Sequence, residues 1–310
     1  MKNTHHKNQN KNIHDPVLLE AVLKYLAPQP NESYLDVTAG YGGHASPIME
    51  SIKKSSQSSQ VTLVDRDSNA ITYLKERFAD LDVEIVQNDF FSASKHLLDD
   101  GRRFDIILAD LGVSLPHLKE ASRGFSFKFN GPLDMRMDQA QDLMASDVVN
   151  RYKEDKLAQI IKDNGEEPKA RRIARQIVIN RPIQDTEQLA NIIKRTSPGY
   201  SKVHPATKTF QAIRIAVNNE LEQLKQALPI WVDLLNPGGR LGIISFHSLE
   251  DRIVKQYFKE HAEKNRYDSI LELITKRPVT PDRDELVTNP RSRSSKLRVV
   301  VKIKTQERGS

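Results

Sequence analysis

Residues 33 to 44 read Ser-Tyr-Leu-Asp-Val-Thr-Ala-Gly-Tyr-Gly-Gly-His, a short apolar strand that runs into Asp36 and then into a glycine-rich turn. A second apolar run, Val61 to Val64, ends in Asp65. Strand, glycine turn, helix, strand and terminal acid make a nucleotide-binding βαβ unit. Gly40, Gly42 and Gly43 permit close backbone approaches that a Cβ would block. Asp65 stands where a carboxylate accepts bonds from both hydroxyls of a ribose. The spacing differs from the dinucleotide Gly-x-Gly-x-x-Gly, and no glycine opens the next helix for a pyrophosphate. Asp36 would repel phosphate but suits a cation. S-adenosylmethionine (SAM) carries a sulfonium and an ammonium, so the turn favours a SAM pocket over an NAD pocket. A glycine turn joining any strand to any helix is the plain alternative.

The alternation continues. Ile71 to Phe78 has helical spacing, Val83 to Gln87 reads as a third strand ending at Asn88-Asp89-Phe90, and Phe104 to Ala109 as a fourth ending at Asp110. The unbroken Ile106-Ile107-Leu108-Ala109 marks a central parallel strand buried on both faces. The next comparable strand lies at 240 to 246, after Asn236-Pro-Gly-Gly239. The gap is too long for a loop, so an inserted domain fills it. Three apolar faces there have helical spacing: Leu157, Ile160 and Ile161; Ile173, Ile177 and Val178; Leu189, Ile192 and Ile193. Asp185 with Gln188 reads as a helix start. Past a hinge at Pro198-Gly199, residues 207 to 234 read as one long helix, and 269 to 275 with 296 to 304 as an antiparallel pair at the sheet edge. The expected fold is therefore α/β: a Rossmann-like SAM-dependent methyltransferase sheet, mostly parallel, with a terminal hairpin and an inserted all-helical domain. The expected boundaries are 14–115 and 205–310 for the sheet domain, 116–204 for the helical lid and 1–13 for a disordered tail.

Composition narrows the function. There is no cysteine, which excludes disulfides and thiolate chemistry. No apolar run of membrane-spanning length occurs, and the tail lacks a signal-peptide hydrophobic region, so a cytoplasmic protein is expected. His5, His6 and His14 lie in that polar tail without fixed geometry, and no metal site is expected. A net charge of +6 favours an anionic macromolecular partner. Lys169, Arg171, Arg172, Arg175 and Arg181 cluster in the insert as a candidate RNA grip; a merely solvated helix face is the alternative. The Ser/Gln/Lys run at 53 to 60 reads as a surface loop.

Ligands of open parallel sheets bind at the carboxyl ends of the strands, where Asp36, Asp65, Asp89, Asp110 and His247 fall. Phe90 can lie against an adenine face, with Asp89 accepting from its amino group; a core aromatic is the alternative. Asp110-Leu-Gly-Val-Ser114 occupies the place where amino-group methyltransferases put a short substrate loop. An exocyclic amine is a poor nucleophile because its lone pair is delocalised, and a carboxylate holding its N–H bonds aligns it for in-line displacement. Asp110 leads the catalytic candidates, followed by Ser114 and His247. Ser248 and Asp251 have capping-box spacing. Phe125, Phe127 and Phe129 alternate beside Arg123, Lys128 and Arg136, either as a stacking platform for single-stranded nucleic acid or as an edge strand packed on the core. Arg291, Arg293, Lys296 and Arg298 form a second candidate phosphate contact.

Together these segments resemble a known family. His14-Asp-Pro-Val-Leu-Leu, Asp36-x-Thr-x-Gly-x-Gly-Gly-His44, Asp110-Leu-Gly-Val-Ser114, Arg123-Gly-Phe-Ser-Phe127, Gly131-Pro-Leu-Asp-Met-Arg-Met137, Gly165-Glu-Glu167, His204-Pro-Ala-Thr-Lys-Thr-Phe-Gln-Ala-Ile-Arg-Ile-Ala-Val-Asn218, Ser245-Phe-His-Ser-Leu-Glu-Asp-Arg252 and Asn289-Pro-Arg-Ser-Arg-Ser294 look like the bacterial ribosomal RNA small subunit methyltransferase H, or MraW, family. The resemblance implies methyl transfer from SAM to N4 of one cytosine of 16S ribosomal RNA, at the decoding centre. It also implies SAM contacts at Gly42, Gly43, His44, Asp65, Phe90, Asp110 and His117. The chain departs from the family at Leu115 and His117, where Ser and Gln are usual. A DNA amino-methyltransferase and a noncatalytic SAM-binding assembly factor are the rival functions, and a homodimer stays open.

Overall fold

The computed structural model describes residues 16–53, 60–196, 204–263 and 269–304. The tail, residues 54 to 59 of the Ser/Gln/Lys run, and the Pro198-Gly199 hinge lie outside them.

Seven strands form one sheet: β1 Tyr34–Asp36, β2 Val61–Asp65, β3 Glu84–Gln87, β4 Phe104–Asp110, β5 Leu235–Ser245, β6 Leu271–Leu273 and β7 Lys296–Lys302. Their order is β3-β2-β1-β4-β5-β7-β6. The first five run parallel, while β7 pairs antiparallel with β5 and with β6, which completes the expected hairpin edge. Chain order reverses direction between β1 and β4, and at such a switch point the crossover helices leave on opposite faces and open a crevice.

The sheet is buried on both sides because its central strands carry unbroken apolar runs, Ile106 to Ala109 in β4 and Leu241 to Ile244 in β5. Leu35, Ile107 and Ile243 face a core with the helices Phe90–Asp99, Glu220–Leu234 and Ser248–Ala262, where Trp231 is fully enclosed. Tyr34, Ile106, Leu108 and Ile244 face the other core, closed by Leu19–Leu26, Ala45–Ile52 and Ser68–Arg77. A third core holds the insert together. Its helices Ala145–Arg151, Glu154–Gly165, Ala170–Ile179 and Thr186–Thr196 bury Val148, Leu157, Ile161, Ile173, Ile177, Leu189 and Ile193, and it extends past residue 204 to take in Phe210, Ile213 and Val217. Asp185 accepts from the N–H of Gln188 at 2.8 Å and starts the last of these helices.

Several local expectations change. The stretch 207 to 234 is two helices, Thr207–Asn218 and Glu220–Leu234, divided at Asn219, whose φ of 51° is left-handed. The Asn218 side chain locks the break: its Oδ1 accepts from Met137 N–H at 2.9 Å, and its Nδ2 donates to the carbonyls of Met135 and Arg214. Phe125, Phe127 and Phe129 form no strand. Phe125 is buried, Phe127 stacks on His204 at 4.5 Å, and only Phe129 is exposed. The cap of Ser248–Ala262 is His247 with Glu250, one residue earlier than the spacing of Ser248 and Asp251 suggests.

Candidate cofactor and acceptor pocket

A cavity of about 260 Å³ opens at the carboxyl ends of β1, β2 and β4, at the switch point. Gly40, Tyr41 and Gly43 of the first turn line it, with Asp65, Phe90, Asp110, His44, Ser114 and His117. Gly42 sits behind the lining with φ +74°, and a Cβ there would come within 2.9 Å of the Phe78 ring, so only glycine closes this turn. Asp65 is oriented by the backbone: Oδ2 accepts from Gly40 N–H and Oδ1 from Asp67 N–H, both at 2.8 Å. Each oxygen keeps a second lone pair for a ligand. Burial raises this carboxyl above its ordinary range, against the pull of those two N–H groups. Phe90 reaches the cavity with its ring 5.5 Å from Trp231 and 5.8 Å from the Arg66 guanidinium.

Asp110 ends β4 in the crevice. Its N–H donates to Thr38 Oγ1 at 2.6 Å, and its Oδ2 lies 3.6 Å from His44 Nδ1, while His44 Nε2 donates to the Val17 carbonyl at 2.9 Å. Its Oδ1 is buried without a hydrogen-bond partner. Burial, with Asp36 and Glu250 nearby, holds its carboxyl well above the usual range. An orphaned, costly acceptor at the wall of a cavity is the mark of a group awaiting a donor or a cation.

The structure moves other expected residues away from a ligand. Asp36 is 2% exposed and absent from the cavity wall: Oδ2 accepts from the Tyr34 hydroxyl at 2.7 Å and Oδ1 from Thr38 N–H at 3.1 Å. Asp89 caps the helix Phe90–Asp99, accepting from Phe91 and Ser92 N–H, rather than facing an adenine. His117 lines the cavity, but both ring nitrogens are engaged. Nδ1 takes the Ser114 N–H and hydroxyl at 3.3 and 3.0 Å, and Nε2 lies 2.8 Å from Asp67 Oδ2. His247 stands outside the wall as a helix cap, its Nδ1 accepting from Glu250 N–H at 3.3 Å.

Cations read as phosphate contacts divide sharply. Arg123 is 1% exposed and donates to the carbonyls of Arg136 and Met137, both at 3.0 Å, with Asp67 at 3.5 Å. Arg136 is forked onto Asp134, Arg181 onto the carbonyls of Val149 and Tyr152, and Lys296 and Arg298 share Asp251. Lys169, Arg171, Arg172 and Arg175 are exposed on the insert, and Arg291 sits at the pocket rim.

Among the wall residues that escaped sequence reasoning are Arg214, Glu220 and Glu250. The break at Asn219 brings Glu220 back to Arg214, six residues away, in a pairing that a continuous helix would not allow. Glu250 carries a lowered pKa: although burial opposes its charge, His247, Arg214 and the Phe246 N–H favour it. Glu220, His247 and Glu250 place ligand atoms within 4.8 Å of one another, the spacing of a metal cluster. Arg214 already supplies the cation there, with both Glu220 oxygens on its fork.

No helix among the described residues is long and apolar enough to cross a membrane. The family model of the MraW methylase family matches residues 11–303. A protein named ribosomal RNA small subunit methyltransferase H from Cyanothece sp. is 45% identical over 95% of this chain and 96% of its own length. Relatives of the same name from Synechocystis sp. and Clostridioides difficile are 44% and 43% identical, covering 94% of this chain in each case and 93% and 99% of themselves. With this coverage spanning sheet and insert alike, the chain belongs to the MraW methylase family.

Proposed function

We propose that the protein methylates N4 of a cytosine in the 16S RNA of the small ribosomal subunit, near the decoding centre, with SAM as the methyl donor, and works in the cytoplasm where that RNA is made. The observation that carries this reading is the unpartnered Asp110 Oδ1 in the wall of a cavity that Gly40 and Asp65 line together with Arg214 and Glu250. The residues present fit SAM: an acid at the end of β2 for ribose hydroxyls, an aromatic face at Phe90, and buried acids instead of a phosphate cradle. SAM, when bound, supplies the methyl group.

The rest is done by the chain. Asp65, held rigidly by Gly40 and Asp67, accepts two charge-assisted bonds and sets the cofactor's register. Asp110 would take one amine N–H, orient the nitrogen lone pair for in-line attack, and receive the proton that the amine loses. Burial, with Asp36 and Glu250 nearby, raises the Asp110 carboxyl above the ordinary carboxylate range and so makes it a stronger base than a solvated carboxylate. Water exclusion comes from Met137, Leu118 and Phe246 around the crevice. The exposed cations of the insert supply a sequence-independent grip on RNA.

Incubation of the protein and labelled SAM with naked 16S RNA, assembled small subunits and DNA, followed by nucleoside analysis, tests this. N4-methylcytidine in ribosomal RNA is the expected product. A methylated DNA base, or no transfer to any of the three, would overturn the reading in favour of a DNA enzyme or a noncatalytic assembly factor.

A further inference from the structure

The pocket wall that includes Asp110 also carries a built recognition group. Arg214 reaches it from the helix Thr207–Asn218, its side chain 15% exposed. Nε and Nη2 donate to Glu220 Oε1 and Oε2 at 2.9 and 2.7 Å. That pairing occupies two of the five guanidinium N–H donors, and among the described residues the other three have no partner. Burial opposes the guanidinium charge, yet Glu220 and Glu250 keep it above its ordinary range, so the donors are permanently charged. The fork is also rigid. Glu220 is 8% exposed, and the left-handed break at Asn219 that aims it is sealed by the buried Asn218 amide.

A fixed, charged donor pair with its outer edge free selects a ligand with two adjacent acceptors. Next to its amine, cytosine presents ring nitrogen N3 and carbonyl O2. Adenine offers N1 but then a C–H, and guanine and uracil present a ring N–H, which would meet the guanidinium donor to donor. We propose that Arg214, aimed by Glu220, reads the acceptor base by donating to N3 and O2 of cytosine while Asp110 holds its amine. The inference rests on the cytosine reading above and names the residue that makes it selective. A site built to satisfy such acceptors rejects a base lacking one far more strongly than a shape-selective pocket does.

The test pairs an atomic change in the substrate with a change in the protein. Small subunits are assembled with 16S RNA carrying either cytosine or 3-deazacytosine at the target, the latter having C–H in place of N3. The full-length wild-type protein should show a drop in kcat/KM for the deaza base of roughly tenfold to a hundredfold, the loss of one hydrogen bond to a charged donor. Arg214→Gln, whose amide still bonds Glu220, should shrink that ratio by roughly tenfold or more relative to wild type. So should Arg214→Met/Glu220→Leu, which removes both members of the ion pair while His247 and the Phe246 N–H still hold Glu250. Intrinsic reactivity differences between the bases cancel in the comparison. Should turnover be too slow, the same ratio is read from equilibrium binding of the two subunits to protein loaded with S-adenosylhomocysteine. SAM affinity, measured by calorimetry, should stay within a few-fold of wild type in both variants. A deaza penalty as large in the variants as in wild type overturns the role of Arg214. Failure of wild type to methylate cytosine at all would instead remove the underlying function, and this inference with it.

Discussion

Asp36 gives a prediction that can be worked from its surroundings. Its side chain is buried beneath the glycine turn, and burial raises its pKa from 3.8 to about 7, with Tyr34 and Thr38 pulling the other way. In the unfolded chain the same group titrates near its ordinary value of about 3.9. Between these values the folded state holds a proton that the unfolded state has lost, so stability is fully present below about pH 4 and declines as pH rises toward 7. At 1.36 kcal/mol per pH unit, three units amount to roughly 4 kcal/mol, of which roughly 3 fall between pH 5 and the plateau above 7. Asp36→Asn removes the titration and keeps the contacts, because the amide oxygen still accepts from Thr38 N–H and the amide nitrogen can donate to the Tyr34 hydroxyl. The variant should therefore gain on wild type by roughly 3 kcal/mol from pH 5 to pH 8.5, about 5 °C in Tm for a chain of this size. Asp110 adds to the effect with the same sign, since Asp36 is one cause of its raised pKa. Thermal unfolding of both proteins without SAM across that range is the assay. A Tm difference that does not change with pH would show that Asp36 does not titrate in the folded protein over this range, and the account of its buried carboxyl would fail.

Three further outcomes follow from the pocket and the insert. Asp110→Asn should lower turnover by on the order of a hundredfold with a much smaller change in SAM affinity, and equal losses in kcat and affinity would assign the residue to the cofactor alone. Asp65→Asn should weaken SAM binding by about 2 kcal/mol, read by calorimetry in a variant whose Tm is near wild type; unchanged affinity would remove the ribose from this carboxylate. Replacing Arg171, Arg172 and Arg175 by Ala should leave SAM binding intact and reduce the slope of log RNA affinity against log salt by roughly 0.7 per lost contact, whereas an unchanged slope would make them a solvated face.

What could be read from the sequence is what local rules encode. The Tyr34–Asp36 strand, the turn from Gly40 to Gly43, the Asp65 terminus and the continuous run into Asp110 all appear where the pattern places them, because strand burial and positive φ leave their signature within a few residues. The helices of the insert show the same, with Leu157 and Ile161 or Ile173 and Ile177 facing one core. Val178 is only half-buried and Ile179 is 63% exposed, so the inward face of that helix is completed by Ala170 and Ala174, whose small side chains carry little periodic signal.

Charged and hydrogen-bonding side chains were not legible in this way. Arg123, Arg136, Arg181 and Arg298 read alike as cations available to phosphate, yet each is committed within the protein. The partners of Arg123 and Arg298, Asp67 and Asp251, lie 56 and 47 residues away. His117 reads as a ligand contact, but Ser114 and Asp67 hold its two nitrogens. Arg214 and Glu220 look like two residues of one long helix until Asn219 turns the chain and makes them a pair at the pocket wall. The sequence by itself determined the order of strands and helices, the position of the glycine turn and the set of acids at the strand ends, since these depend on backbone preferences and burial pattern. Only the tertiary structure decided which polar groups remain free for a ligand. Any of several distant partners can satisfy a charge, and the sheet order and the helix break are what bring one of them within hydrogen-bonding distance.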